Sequence, residues 1–164
     1  MDIHIRKANV KDADMLMEMW KEFTQVHDEI VIRKNSRIKP HIDLDKNAYN
    51  TFKRFIKKQI ISKYALVSIA EVDGKPAGYT LSFIKKNIPV YAVERLGYIV
   101  DMYVKKEYCG LGISSKLKDE VIEWCKKEGV KYIALTVFYD NEHARKVYEK
   151  WGFFNHSIEM RKEI

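Results

Sequence analysis

The spacing of apolar residues changes several times along the chain, and each change marks a different element of secondary structure. Apolar residues at every second position are typical of a half-buried strand, whereas a spacing near 3.6 residues is typical of a helix with one buried face. By this criterion the sequence predicts strands at residues 3–7, 64–72, 77–84, 96–104 and 132–137. It predicts helices at residues 11–28 and 47–62, a third that opens near Ser114, and a fourth between Asn141 and Gly152.

The connections between these elements narrow the choice of fold. Asp73 and Gly74 lie between two apolar runs, which is a strong signal for a β-hairpin. Residues 30–45 have no clear period, so we expect a loop there. The strand at 132–137 follows a helix and returns beside the strand at 96–104, which requires a parallel pair joined by a right-handed crossover. Parallel neighbours that diverge at their ends would leave a cleft for an extended ligand.

Residues 104–117, VKKEYCGLGISSKL, combine the end of a strand, a glycine loop and the start of a helix. Gly110 and Gly112 lack a Cβ, so the backbone can turn tightly and present its N–H groups to an anion. Ser114 and Ser115 lie where the helix begins, at the positive end of its dipole. The stretch predicts a diphosphate-binding loop, although two glycines before a helix also occur in loops that bind nothing.

A second segment, LTVFYDNEHARKVYEKWGF at residues 135–153, follows after one more strand, and the two segments together resemble the GNAT superfamily, the Gcn5-related N-acetyltransferases. The family's acyl-CoA motif is Arg or Gln, two variable residues, Gly, one variable residue, and Gly or Ala. Its window here is Cys109, Gly110, Leu111, Gly112, Ile113 and Ser114. The second family motif, Asn-x-x-Ala-x-x-x-Tyr-x-x-x-Gly-Phe, matches at Asn141, Ala144, Tyr148, Gly152 and Phe153.

The resemblance implies a fold, a cosubstrate and a set of binding residues. The GNAT fold is α/β (α+β), with a central mixed and mostly antiparallel twisted sheet, a splayed parallel strand pair and flanking helices, here one domain over residues 1–164. Acetyl-CoA is the implied cosubstrate, and an amine is the implied acceptor, under the first two helices. The implied CoA-binding residues beyond the glycine-loop window are Met102, Tyr103, Val104, Ser115, Asn141 and Tyr148.

Two residues of the glycine loop depart from the family pattern. Cys109 stands where relatives usually carry a basic or amide side chain, so the phosphate contacts would depend on backbone donors. Ser114 replaces a small Gly or Ala, and its hydroxyl can either crowd the diphosphate or donate to it. An acetylated Cys109 is not expected, because the thioester would lie at the other end of the pantetheine arm.

The reaction that the resemblance implies is direct attack of an amine on the acetyl thioester in a ternary complex. Tyr148 is the expected acid, because a phenol can donate to the departing thiolate. Many relatives carry a glutamate at the position of Val100, so Asp101 is the nearest acid for the base, although alternation along the strand should turn it to the opposite face. Other candidate bases are Glu94, His27, His41 and His143. The amine can also arrive neutral.

Composition sets the outer bounds. The chain has 164 residues, of which 46% are apolar, which suits one domain with a sizeable core. No apolar run approaches the ~20 residues of a membrane span, and the charged start lacks a signal-peptide core. The two cysteines, Cys109 and Cys125, fit a reducing compartment. We therefore expect a cytoplasmic protein without structural disulfides and without a metal.

The net charge of +7 raises the question of nucleic acid. The lysines are spread over the chain rather than gathered in one arm, so a solvated surface is the better interpretation and no nucleic-acid partner is expected. Two alternatives stay open, a GNAT-fold protein that binds acyl-CoA without catalysis and a small basic nucleic-acid-binding domain. The acceptor is also open between a protein N-terminus, a lysine and a small amine. A homodimer is plausible as a partner, although no pattern in the sequence supports it.

Overall fold

We describe a computed structural model of the whole chain, Met1–Ile164. Five strands form one sheet in sequence order: β1 (Ile3–Lys7), β2 (Ala65–Val72), β3 (Lys75–Lys86), β4 (Arg95–Val104) and β5 (Ile133–Leu135). The first four strands pair antiparallel, and β5 pairs parallel with β4. The predicted mixed, mostly antiparallel sheet with one parallel pair is therefore confirmed.

The hairpin between β2 and β3 forms where Asp73 and Gly74 predicted it. Both residues have positive φ angles, 48° and 77°, which is the backbone that a tight two-residue hairpin needs. Asp73 also accepts a hydrogen bond from the Asp2 N–H at 2.8 Å, so the turn holds the start of β1.

Five helices flank the sheet: α1 (Ala13–Lys34), α2 (Lys39–Ile42), α3 (Ala48–Ile60), α4 (Ile113–Lys127) and α5 (Glu142–Lys150). The loop predicted at residues 30–45 is wrong in part, because α1 continues to Lys34 and α2 occupies four of these residues. Val31 is fully buried, which gives the last turns of α1 an apolar contact that the sequence period did not reveal. None of these helices combines the length and the apolar composition of a membrane span.

The two faces of the sheet bury different clusters. One cluster lies between the sheet and helices α1 and α3, and includes Leu16, Trp20, Ile56, Tyr79 and Leu81. On the other face, Ile113, Leu117 and Val121 of α4 pack against the sheet. Leu66 and Ile99 are among the strand residues buried there. A residue of β4 therefore faces either the α1 side or the α4 side, and this choice decides which side chains reach the candidate site.

Candidate functional site

A cleft begins where β4 and β5 stop pairing. The two strands pair only from Gly97–Ile133 to Ile99–Leu135, so β5 is shorter than the predicted 132–137. Beyond Ile99, β4 continues to Val104 without a partner on this side. Backbone N–H and C=O groups along this edge are thus available to a ligand that lies where a strand would lie.

The glycine loop closes one end of this cleft. Gly110 and Gly112 have φ angles of 83° and 76°, so both adopt the left-handed conformation that favours glycine. The N–H groups of residues 110–115 donate no hydrogen bond to another backbone group, and no side chain caps the start of α4. Six consecutive free N–H groups at a helix N-terminus form a suitable site for a phosphate anion.

The side chains around this loop leave the anion contacts to the backbone. Leu111 and Ile113 pack into the core below α4, so only their N–H groups remain for a ligand. Ser114 and Ser115 are half-buried in the first turn. The Cys109 thiol is exposed and lies 3.6 Å from the Lys105 carbonyl oxygen, on the loop's own backbone.

A β-bulge in β4 changes the direction of Asp101. The register with β3 shifts between Leu81, which pairs with Asp101, and Ser82, which pairs with Ile99, so Val100 is the extra residue. The Thr80 hydroxyl donates to the Asp101 carbonyl at 2.9 Å and supports this bulge.

Our expectation that Asp101 points away from the face of Val100 is therefore wrong. Val100 packs against the cluster below α1, and Asp101 pairs with Leu81, a member of the same cluster. The inserted residue cancels the alternation between neighbours, so both side chains face α1. Asp101 is the first residue beyond the bulge, two residues past Ile99, where the β4–β5 pairing ends.

The Asp101 carboxylate is held by a buried tyrosine. The Tyr79 hydroxyl donates to Asp101 Oδ2 at 3.3 Å, and Tyr79 is fully buried. Burial raises the pKa of Asp101 to about 6, although the hydrogen bond from Tyr79 lowers it. Burial, followed by the charge of Asp101, raises the pKa of Tyr79 well above its usual value, so this phenol stays protonated as the donor.

Asn141 and Tyr148 belong to the segment after β5, at the start of α5 and within it. Asn141 caps α5, because its side-chain oxygen accepts from the Ala144 N–H at 3.2 Å. Tyr148 is half-buried, and its ring centroid lies 5.6 Å from that of Trp151 and 6.0 Å from that of Phe153. Burial alone raises the pKa of Tyr148, which keeps its phenol protonated at neutral pH.

Helix α1 spans the opening from β4 to α5. The His27 ring packs 4.9 Å from Phe138, which follows β5, and Lys34 lies 3.5 Å from Glu142 at the start of α5. The other end of this wall is Tyr103 on β4, whose hydroxyl donates to Glu22 of α1 at 3.2 Å. Helix α1 thus forms a wall with aromatic and acidic side chains on the face of β4 that carries Asp101.

The remaining candidate bases lie outside this arrangement or are occupied. His27 Nδ1 lies 3.2 Å from the Asp28 carboxylate. Glu94, His41 and His143 are exposed to solvent. No group of three or more His, Cys, Asp or Glu side chains is arranged to hold a metal ion.

Sequence reasoning missed three contributors to the site, namely Tyr79, Glu22 and Phe138. Tyr79 is 22 positions from Asp101 in the sequence, and only the pairing of β3 with β4 brings them together. A tyrosine in the middle of an apolar strand was the one available signal, because such a position is usually buried and a buried phenol usually has a polar partner.

Comparisons with known proteins agree with this geometry. The model of the acetyltransferase (GNAT) family matches residues 19–153. N-alpha-acetyltransferase 30 of Schizosaccharomyces pombe is 40% identical over 57 residues, which cover 35% of this chain and 38% of that protein. L-amino acid N-acetyltransferase AaaT of Escherichia coli is 36% identical over 86 residues, which cover 52% of this chain and 51% of that protein.

Solved structures share the fold over nearly the whole chain. A structure from Clostridium acetobutylicum, described as a predicted acetyltransferase with acetyl-CoA, has a TM-score of 0.73 and 22% identity, and the match covers 99% of this chain and 96% of that one. The chain spans about half or less of the length of the two curated relatives described above. The resemblance drawn from the two sequence motifs is therefore confirmed for family and fold.

Proposed function

The chain belongs to the acetyltransferase (GNAT) family, and on that premise we propose that it transfers the acetyl group of acetyl-CoA to an α-amine. One observation carries the proposal: going back along the chain, the free N–H groups of residues 110–115 are followed by the unpaired edge of β4 and then by Asp101. A diphosphate, a pantetheine arm and a thioester follow one another in the same order along acetyl-CoA.

The unpaired edge of β4 is long enough for an extended pantetheine arm. Val104 lies four positions after Val100, which is about 13 Å at the usual rise of a strand. The pantetheine amides would pair with backbone groups of Met102, Tyr103 and Val104, as an added strand would. The diphosphate would bind the N–H groups of the glycine loop, with Ser114 and Ser115 at its rim and Asn141 and Tyr148 across the cleft.

Each proton in the reaction has a proposed donor and acceptor. The Asp101 carboxylate takes a proton from the acceptor ammonium, directly or through a water molecule, and the freed nitrogen lone pair attacks the carbonyl carbon of the thioester. A C–N bond forms as the C–S bond breaks, and the sulfur leaves with the electron pair of that bond. The second proton of the nitrogen passes to water, and the thiolate takes a proton from water to become a thiol.

Tyr148 stabilises the leaving sulfur rather than fully protonating it. An ordinary thiol has a pKa of about 8.5 and an ordinary phenol one of about 10. Because burial raises the pKa of Tyr148 further, complete transfer of its proton to a thiolate is uphill. A hydrogen bond from the phenol to the developing thiolate requires no such transfer and still lowers the barrier.

An α-amine is the acceptor class that matches Asp101. The pKa of a free α-amino group is about 7.7–8.0, whereas that of a lysine side chain is about 10.4. The pKa of Asp101, which is raised to about 6, is much closer to that of the α-amino group than to that of lysine. The names of the two relatives from S. pombe and E. coli, an N-alpha-acetyltransferase and an L-amino acid acetyltransferase, point in the same direction.

The test is release of CoA thiol from acetyl-CoA with a matched panel of amines. We expect turnover with a free amino acid amide or a short peptide with a free N-terminus, and little with Nα-acetyl-lysine amide, which offers only an ε-amine. Faster turnover of the blocked lysine would overturn the α-amine assignment. Selective acetyl-CoA binding in calorimetry, against dephospho-CoA and ATP, without thiol release for any amine would favour a binding protein without catalysis.

A further inference from the structure

We propose that Tyr79 is a positioning residue that holds the Asp101 carboxylate at the end of the cleft, and that it acts on acetyl transfer only through Asp101. This inference rests on the proposed function, because it assigns a partner to the base of that reaction. Tyr79 would touch neither acetyl-CoA nor the amine. Its hydroxyl is the one protein donor to the carboxylate, at 3.3 Å from Oδ2.

The packing around Tyr79 leaves its hydroxyl little freedom. Tyr79 has no exposed surface, and it is among the largest fully buried side chains of the protein. Its ring meets that of Tyr103, its cross-strand neighbour, edge to face at a centroid distance of 6.5 Å. A ring enclosed in this way in the core holds its hydroxyl at one point, and the carboxylate that accepts from it is fixed in turn.

The bulge makes this contact possible. Without the extra residue, strand alternation would turn Asp101 towards α4, away from Tyr79. With it, Asp101 and Tyr79 both face α1, while Thr80 binds the Asp101 carbonyl from the other face at 2.9 Å. Two neighbouring residues of β3 thus hold the side chain and the backbone of the same aspartate.

No charged group of the neighbouring elements takes the place of Tyr79 as a hydrogen-bond donor to the Asp101 carboxylate. On α1, Glu22 is occupied by the Tyr103 hydroxyl at 3.2 Å, and His27 pairs with Asp28. The residues of α3 that pack into the cluster on this face are apolar, and the segment after β5 contributes Phe138. Tyr148 of α5 lies across the cleft. Burial and the Tyr79 hydrogen bond are the influences that act on the pKa of Asp101.

The direction of the effect follows from which form of Asp101 the phenol stabilises. A hydrogen bond to a carboxylate favours the charged form and lowers its pKa. Tyr79→Phe keeps the ring and removes the hydroxyl, so a larger share of Asp101 is protonated at neutral pH. A hydrogen bond to a charged group is worth enough to move such a pKa by roughly one pH unit.

The experiment is the pH dependence of kcat/KM for acetyl transfer, measured for the wild type, Tyr79→Phe, Asp101→Asn and the double variant. We expect the acid limb of the pH profile of Tyr79→Phe to move to higher pH by about one unit. We also expect Tyr79→Phe to cause no further loss in the Asp101→Asn background. Tyr98→Phe is the matched control, because it removes another phenol of this sheet, one bonded to Thr136 rather than to Asp101. Its acid limb should stay in place.

The outcomes separate the two proposals. An unmoved acid limb in Tyr79→Phe, or an equal fractional loss in both backgrounds, would show that Tyr79 has only a structural role and would overturn this inference alone. A wild type without turnover for any amine would overturn both. If Tyr79→Phe does not fold, carboxyl ¹³C NMR titration of Asp101 with the smaller and more adaptable Tyr79→Met tests the same shift, and an unchanged midpoint contradicts the inference.

Discussion

Asp101→Asn is expected to remove most of the acetyl transfer activity and, at neutral pH, to make the protein more stable. The activity falls because the amide cannot accept the proton of the acceptor ammonium, a role that contributes about 10²–10⁴-fold in rate. Stability rises because the native fold holds an ionised carboxylate in a half-buried and poorly hydrated position, whereas an amide there carries no charge. The Asn side-chain oxygen can still accept the hydrogen bond from Tyr79.

The size of the stability change follows from the pKa of Asp101 in the two states. Burial raises this pKa from 3.8 to about 6 in the folded protein. Because the folded state binds the proton more tightly, the stability that the protonated carboxyl contributes is fully present below about pH 4 and is lost as the pH rises through about pH 6. A difference of about two pH units corresponds to about 3 kcal/mol above pH 7.

The assay is thermal unfolding of the wild type and Asp101→Asn from about pH 4 to about pH 8. For a protein of this size, about 3 kcal/mol corresponds to an increase in Tm of about 6–12 °C near neutral pH, and the difference should shrink towards zero near pH 4. Asp119→Asn is the control, because the Asp119 side chain is 63% exposed and pairs with Lys118 at the surface. A stability difference that does not change with pH, or an Asn variant that is less stable at neutral pH, would refute this account of Asp101.

Three further predictions concern the sheet that carries the site. A Cβ on Gly78 would lie 2.5 Å from a backbone carbonyl oxygen of β4, so Gly78→Ala should lower the free energy of unfolding by at least about 2 kcal/mol in urea, and an unchanged midpoint would contradict the close approach. The buried hydroxyls of Ser68 and Ser82 have no hydrogen-bond partner, so Ser→Ala at either position should be neutral or stabilising by up to about 1 kcal/mol, and a clear loss would reveal a hidden partner. The hydrogen bond from Arg6 lowers the pKa of Asp12, so this pair stabilises the fold above pH 3.8 and loses that contribution as the pH falls; Asp12→Asn should therefore be less stable than the wild type at neutral pH and equal to it in acid, as chemical denaturation at both pH values would show.

The sequence alone predicted the elements whose local pattern matches their environment. The Asp73-Gly74 hairpin follows from two residues that tolerate positive φ, and the structure forms it there. The glycine loop and the cap of α5 at Asn141 also lie where the motifs placed them. In each of these cases the information is contained in a few neighbouring residues, so no distant contact was needed to infer it.

The parts that sequence reasoning missed depend on contacts between distant segments. The end of α1 is helical because Val31 is buried, and the local period around it gave no sign of this contact. β5 ends at Leu135, beside the point where the bulge at Val100 interrupts β4, although the alternation of the sequence continues further. Both differences lie at the cleft, where the requirements of tertiary structure override local preference.

The position of Val100 shows how the same limitation affects an inference about chemistry. Counting along the chain from Met102, the acid expected from the family pattern is missing, and Asp101 lies on the wrong face if the strand alternates regularly. The register shift between Leu81 and Ser82 adds one residue to β4, and this residue moves the acid to the face that the count had assigned to Val100. A motif therefore specifies a position in space only when the strand is regular, and a bulge moves a functional side chain by one place in the sequence. The absence of a glutamate at Val100 for this reason does not count against the proposed catalysis, since Asp101 faces the same side of β4 as Val100.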